Sequence, residues 1–250
     1  MNFSFTGLEG AFMTTPAVAQ GAADEHQHRD VSGGWLRPAV FGAMDGLVTN
    51  LSLIAGVGGG GASGHLIVLT GLAGLAAGAF SMAAGEYVSV SSQNELVQAE
   101  VSKERYELEH HPETERSELA ATFVRRGVDP ALADQVARQI SAHPDALRVH
   151  VREELGVDHE DLPSPYVAAG ASLLTFAVGA LIPLLPYLAG LGSLAASLGL
   201  GALAALAGGG LVARITDRPM LRGALRQFLL AAAATALTYG IGTMVGAGVH

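Results

Sequence analysis

Two carboxylates fall inside otherwise apolar stretches of this chain: Asp45 in "PAVFGAMDGLVTNLSLIAGVGGG" and Glu86 in "GAFSMAAGEYVSV". A charged carboxylate near the middle of a bilayer is disfavoured by roughly 2.5–3.5 kcal/mol on insertion scales, and such residues commonly mark ion or proton routes. At helical spacing Asp45, Thr49 and Ser52 share one face, and Met82, Glu86, Ser89 and Gln93 share a face of the next helix. Two facing helices of this kind offer carboxylate, hydroxyl and thioether groups to one polar path. Oxygen ligands with a single soft sulfur suit a first-row divalent ion such as Fe(II) or Mn(II) better than calcium or magnesium. A carboxylate withdrawn from water can also exchange a proton for a metal. Each residue has a structural alternative. Asp45 could serve a helix–helix hydrogen bond, Met82 could pack, and Glu86, near the end of its span, could reach the interface. Gly71, Gly74, Gly78 and Gly85 suit close helix packing, within a subunit or between subunits.

A second set of ligands lies in a polar block. Glu104 and Glu107 are three apart, as are Glu115 and Glu118; Glu100 precedes Glu104 by one turn, and His150 and Glu154 are four apart. These spacings put two side chains on one helical face within reach of a shared ion. A solvated acidic face has the same spacing, so the pairs alone do not decide. Glu109, His110 and His111 read as a solvated helix end.

The elements that must carry these residues follow from hydropathy. The 250 residues are 50% hydrophobic, with a mean hydropathy of +0.37. The apolar residues form five blocks at about 38–60, 65–92, 166–188, 191–213 and 224–248, each long enough to cross a ~30 Å hydrocarbon core as a helix. The expected fold is an all-α membrane protein of five transmembrane helices, with a cytosolic helical insert between the second and third. Its parts are a disordered tail over 1–34, helices 1 and 2 over 35–92, an acidic metal-binding insert over 93–163 and helices 3 to 5 over 164–250. His26 and His28 read as solvated tail residues.

In the insert, Pro112 and Pro130 mark helix starts, and Leu147, Val151 and Leu155 form an apolar stripe. The 14 Lys and Arg residues cluster before the first block, in the insert and around the fourth-to-fifth connection. With five spans these regions share one side, which the positive-inside rule makes the cytosol. The absence of cysteine excludes thiolate sites and disulfides. The insert's excess of acidic residues argues against nucleic acid.

"DGLVTNLSLIAGV", "GAFSMAAGEYVSVSSQ", an acidic insert ending in "REELGV" and three further apolar spans together resemble the vacuolar iron transporter family over about 35–250. The resemblance implies a homodimer of five-helix subunits in the lipid membrane and proton-coupled export of Fe2+, often Mn2+, from the cytosol. It implies no tightly bound cofactor, the metal being cargo. It matches the family's path aspartate and methionine to Asp45 and Met82, and its metal-binding glutamates to Glu104, Glu107, Glu115, Glu118 and Glu154. His150 stands where some members use a methionine. Glu86 follows the bacterial form of the motif.

The expectation is therefore a metal/proton antiporter and not an enzyme. Its place is a bacterial inner membrane or, alternatively, a vacuolar one. The other classes are a membrane-tethered di-iron oxidase, suggested by the Glu-x-x-His pair Glu107 and His110, and a metal sensor or passive channel.

Overall fold

The computed structural model describes residues 34–248, so the expectations for His26, His28 and the rest of 1–33 lie outside the described residues. All regular structure described is helical: α1 Leu36–Gly59, α2 Gly64–His110, α3 Pro112–Arg125, α4 Pro130–Ser141, α5 Ala146–Glu154, α6 Pro165–Leu181, α7 Leu185–Leu188, α8 Leu194–Ile215 and α9 Met220–Gly248, with a 3-10 turn Ile182–Leu184 joining α6 to α7. Five stretches are long and apolar enough to span a membrane: α1, α2, the composite Pro165–Leu188, α8 and α9. The chain is a multi-pass membrane protein.

Local chemistry sets the helix limits. Ser63, Ser164 and Ser193 cap α2, α6 and α8 by accepting from Leu66 N, Val167 N and Ala196 N, which satisfies one otherwise free amide in each first turn. The fourth span starts at Leu194 rather than the expected 191. Gly190 and Gly192 hold φ of +79° and +54°, a turn that delays the helix until Ser193 can cap it. The fifth span starts early, at Met220, because nothing between Pro219 and Gly223 breaks the helix. α2 runs 47 residues without interruption, about 70 Å at 1.5 Å per residue, so the second span and the first helix of the insert are one rod.

Small residues set the packing of the spans. α1 packs most extensively on α6 and also meets α9, α2 and α8. A Cβ at Gly46 would overlap the Phe176 carbonyl, and one at Gly179 would overlap the Ala43 carbonyl, so the backbones of α1 and α6 touch. Phe176, fully buried, then reaches across to α2, where a Cβ at Gly78 would overlap its ring. Gly71 and Gly74 likewise meet side chains of this same chain, whereas Gly85 has nothing within 4 Å.

In the insert, α3, α4 and α5 pack on one another, and α3 and α5 also on the end of α2, around Val101, Leu119, Ala133, Ala137 and Val151. The stripe expected of Leu147, Val151 and Leu155 is only partly realised. Val151 is buried, but Leu155 is the C-cap of α5 and is 40% exposed. His150 fills the core beside Val151 instead.

Gly46→Ala is expected to lower stability by about 1–3 kcal/mol through overpacking. Gly170→Ala, at a position with nothing within 4 Å, should leave stability unchanged or slightly raised. Unfolding midpoints of the two variants in detergent test this.

Candidate metal centre

Glu104, Glu115, His150 and Glu154 each offer a ligand atom, and these atoms lie within 4.8 Å of one another. Three elements bring them together. α2 carries Glu104 beyond its apolar stretch. The chain reverses at His111, and Pro112 starts α3, placing Glu115 in its first turn. α5 presents His150 and Glu154 from the same face. The Arg126–Glu153 ion pair ties the end of α3 to α5. Arg148, paired with Asp158 at 2.6 Å and Glu160 at 2.9 Å, holds α5 to the chain that follows.

The centre is largely buried, with Glu154 at its exposed edge. His150 is fully buried and Glu115 is 2% exposed. His150 Nδ1 lies 3.2 Å from Glu104 Oε1, 3.8 Å from Glu154 Oε1 and 3.9 Å from Glu115 Oε2. Yet Glu104 Oε1, Glu115 Oε2 and both ring nitrogens of His150 are buried without a hydrogen-bond partner. Buried polar atoms are ordinarily paired, and here the carboxylates of Glu104, Glu115 and Glu154 gather around one ring nitrogen, His150 Nδ1, a set that can hold a cation. Three carboxylates with one imidazole suit a first-row divalent ion.

Electrostatics favour the same occupant. Burial, then the charges of Glu154 and Glu115, push the Glu104 carboxyl up to about 8. Burial and the charge of Glu118 push Glu115 up to about 7. Glu154 is raised chiefly by burial, then by Glu118. Burial lowers His150, which keeps the imidazole neutral and its lone pair free. A divalent ion would relieve the carboxylate repulsion by displacing protons.

Other sequence candidates fall outside this cage. Glu107 and Glu118 act on it only through their charges. Glu118 also lines an adjacent cavity of about 380 Å³ with Thr122, Arg125, Glu153 and Glu154. Glu100 is exposed one turn nearer the membrane. The di-iron reading loses its Glu-x-x-His pair, because exposed His110 contacts Tyr106 O at 2.8 Å and stacks on the Tyr106 ring.

In the membrane, half-buried Asp45 accepts a hydrogen bond from Thr49 Oγ1 at 3.4 Å. Met82 packs with Ala79, Phe176 and Ala180, Glu86 is half-buried and Ser89 exposed. The antiparallel register set by Gly46 and Gly78 around Phe176 and by Gly58 against Ile67 puts Asp45 and Met82 at nearly one depth. Phe176 lies between their helices there. Sequence reasoning missed Phe176, whose role depends on glycines more than 90 positions away.

In metal-free chain, Glu104 and Glu115 hold protons when folded that they release when unfolded, between the ordinary value of 4.5 and about 8 or 7. Stability therefore falls as pH rises through that window. The expected result is a lower unfolding midpoint at pH 9 than at pH 6 in chelator, with most of the difference removed by saturating Mn(II). Binding of Mn(II) to the full chain should weaken roughly tenfold or more per pH unit below about pH 7, because protons must be displaced. Titration calorimetry in detergent reads that slope, and His150→Ala should weaken binding at every pH.

The sequence profile of the VIT family matches residues 36–243. A vacuolar iron transporter of Acanthamoeba castellanii is 43% identical over 166 residues, covering 66% of this chain and 60% of that protein. Vacuolar iron transporter 2 of Oryza sativa subsp. japonica is 33% identical over 66% of this chain and 68% of its own. Vacuolar iron transporter 1 of the same plant is 31% identical over 92% of this chain and 95% of its own length. The match takes in all five spans and the insert that holds the glutamate–histidine cage, and the chain belongs to the VIT family.

Proposed function

We propose that this protein is a proton-coupled exporter of divalent metal, Fe(II) or Mn(II), from the cytosol. One observation carries the reading: a single unbroken helix, α2, bears both the cage residue Glu104 and the membrane residue Met82. The two lie about 33 Å apart along it at 1.5 Å per residue. The insert gathers metal at Glu104, Glu115, His150 and Glu154, with Glu107 and Glu118 supplying attractive charge. Metal passes to Met82 and Asp45, beside Thr49, Glu86 and Ser89, and Asp45 takes a proton from the opposite side as metal leaves. The names of the relatives, vacuolar iron transporters, support iron as one cargo. The mixed oxygen and nitrogen ligands admit manganese as well.

Orientation follows from charge. The start of α1, the insert and the α8–α9 connection share one side of a five-span chain and carry the Lys and Arg residues, so that side is cytosolic. The same orientation serves a bacterial inner membrane and a vacuolar membrane.

The membrane stretch of α2 is only 17% buried, and Ser81, Gly85, Ser89 and Gln93 are exposed along it. A polar, small-residue stripe of this kind packs better on another helix than on lipid. A second copy covering it makes a homodimer and encloses the path.

Proteoliposomes loaded in turn with Fe(II) and Mn(II), with and without a pH gradient, test the proposal. Gradient-dependent flux that falls at least tenfold in Asp45→Asn, with expression unchanged, is the expected result. Equal flux without a gradient identifies a channel, and metal binding without flux identifies a sensor.

A further inference from the structure

The third span is broken inside the membrane. Pro183 and Pro186 have no N–H to give, and at Ile182–Leu184 the ladder tightens, with Leu185 N donating to Ile182 O. Carbonyls just before such a break need other donors, because the hydrocarbon core holds no water. Ala180 O finds one on α1: Asn50 Nδ2 donates to it at 2.6 Å. Asn50 is 1% exposed and its Oδ1 has no partner. That oxygen faces α2 at Gly74, where a Cβ would stand 3.3 Å away. One buried amide thus meets three spans, five residues or about 8 Å along α1 from Asp45.

Beyond the break, residues 182–188 cross the ends of α1 and α2 that lie away from the insert. Leu184 is buried with Ile54 of α1 and Ile67 of α2, and Tyr187 and Leu194 pack against this cluster. Gly71 makes room for Leu184, since a Cβ there would lie 2.7 Å from its Cδ1, and Gly64 faces the Tyr187 ring at 3.7 Å. The segment thus places an apolar cluster between Asp45 and the far end of α1.

We propose that Asn50 is a positioning residue for transport: its amide docks the broken third span on α1, and residues 182–188 thereby close the outer ends of α1 and α2. The inference rests on the transport reading above. Outward release requires Leu184 to leave Ile54 and Ile67, and the break before it is the hinge. Segments of this kind commonly pivot at element ends, where a few residues absorb the dihedral change.

The chain has no cysteine, so an introduced pair reports on itself alone. Gly71→Cys with Leu184→Cys is oxidised in the full-length protein, the cross-link is checked by mass, the oxidant is removed, and Fe(II) flux is measured anaerobically in proteoliposomes. Cross-linking should reduce gradient-driven flux at least tenfold, and reductant should restore it. Asn50→Leu should raise the gradient-independent share of flux at least fivefold while Mn(II) affinity stays at the wild-type value. A purely structural loss would lower both kinds of flux in proportion.

Three results would overturn the proposal: failure of the pair to cross-link, a cross-linked protein that transports at the reduced protein's rate, or an unchanged gradient-independent share in Asn50→Leu. Absence of flux from wild type and the reduced pair alike would instead overturn the transport reading.

Discussion

The contact between the backbones of α1 and α6 governs the membrane half of this protein. Lipid gives packed apolar helices little hydrophobic reason to associate, so close approach and dispersion must hold them together. Gly46 and Gly179 supply that approach by removing the Cβ atoms that would strike the Phe176 and Ala43 carbonyls. Once the helices touch, Phe176 has one place to go, the notch at Gly78 of α2. The same contact brings Asn50 to Ala180 O. Register, aromatic wedge and buried amide all descend from two missing methyl groups.

The insert obeys the opposite economy. Its centre concentrates three carboxylates around a neutral imidazole where burial makes charge unfavourable. Such a centre persists because surrounding contacts, notably the Arg126–Glu153 and Arg148–Asp158 pairs and the packing of Leu119 and Val151, hold it in place. The repulsion that raises the glutamate values is what a bound cation would remove, so instability of the empty cage and affinity for an ion would go together.

The spans were legible because a run of about twenty apolar residues matches the thickness of a bilayer and little else in protein structure. The insert helices were legible because Pro112, Asp129 and Pro130 punctuate them. Of each glutamate pair three apart, one member enters the cage and the other does not. Glu104 and Glu115 turn inward, while Glu107 and Glu118, about 60° round the helix, act at a distance. Spacing alone carries no information on which member faces in. His150 was readable as a ligand but not as a core residue, because that depends on where α5 ends. Asn50 and Phe176 looked like ordinary members of apolar stretches. Their meaning lies in the Pro-broken third span and in glycines of other helices, partners that local pattern does not name.

The uninterrupted α2 has a mechanical consequence. From Gln93 to His110 the rod projects about 27 Å past its membrane stretch. A tilt of only ~5° at the membrane boundary therefore sweeps its tip through about 2 Å, comparable to a metal–ligand bond. Because the helix has no internal joint, the converse also holds. Contraction of the cage around an ion would apply torque to the segment that carries Met82, and occupancy of the insert would then be felt as a change of angle in the membrane.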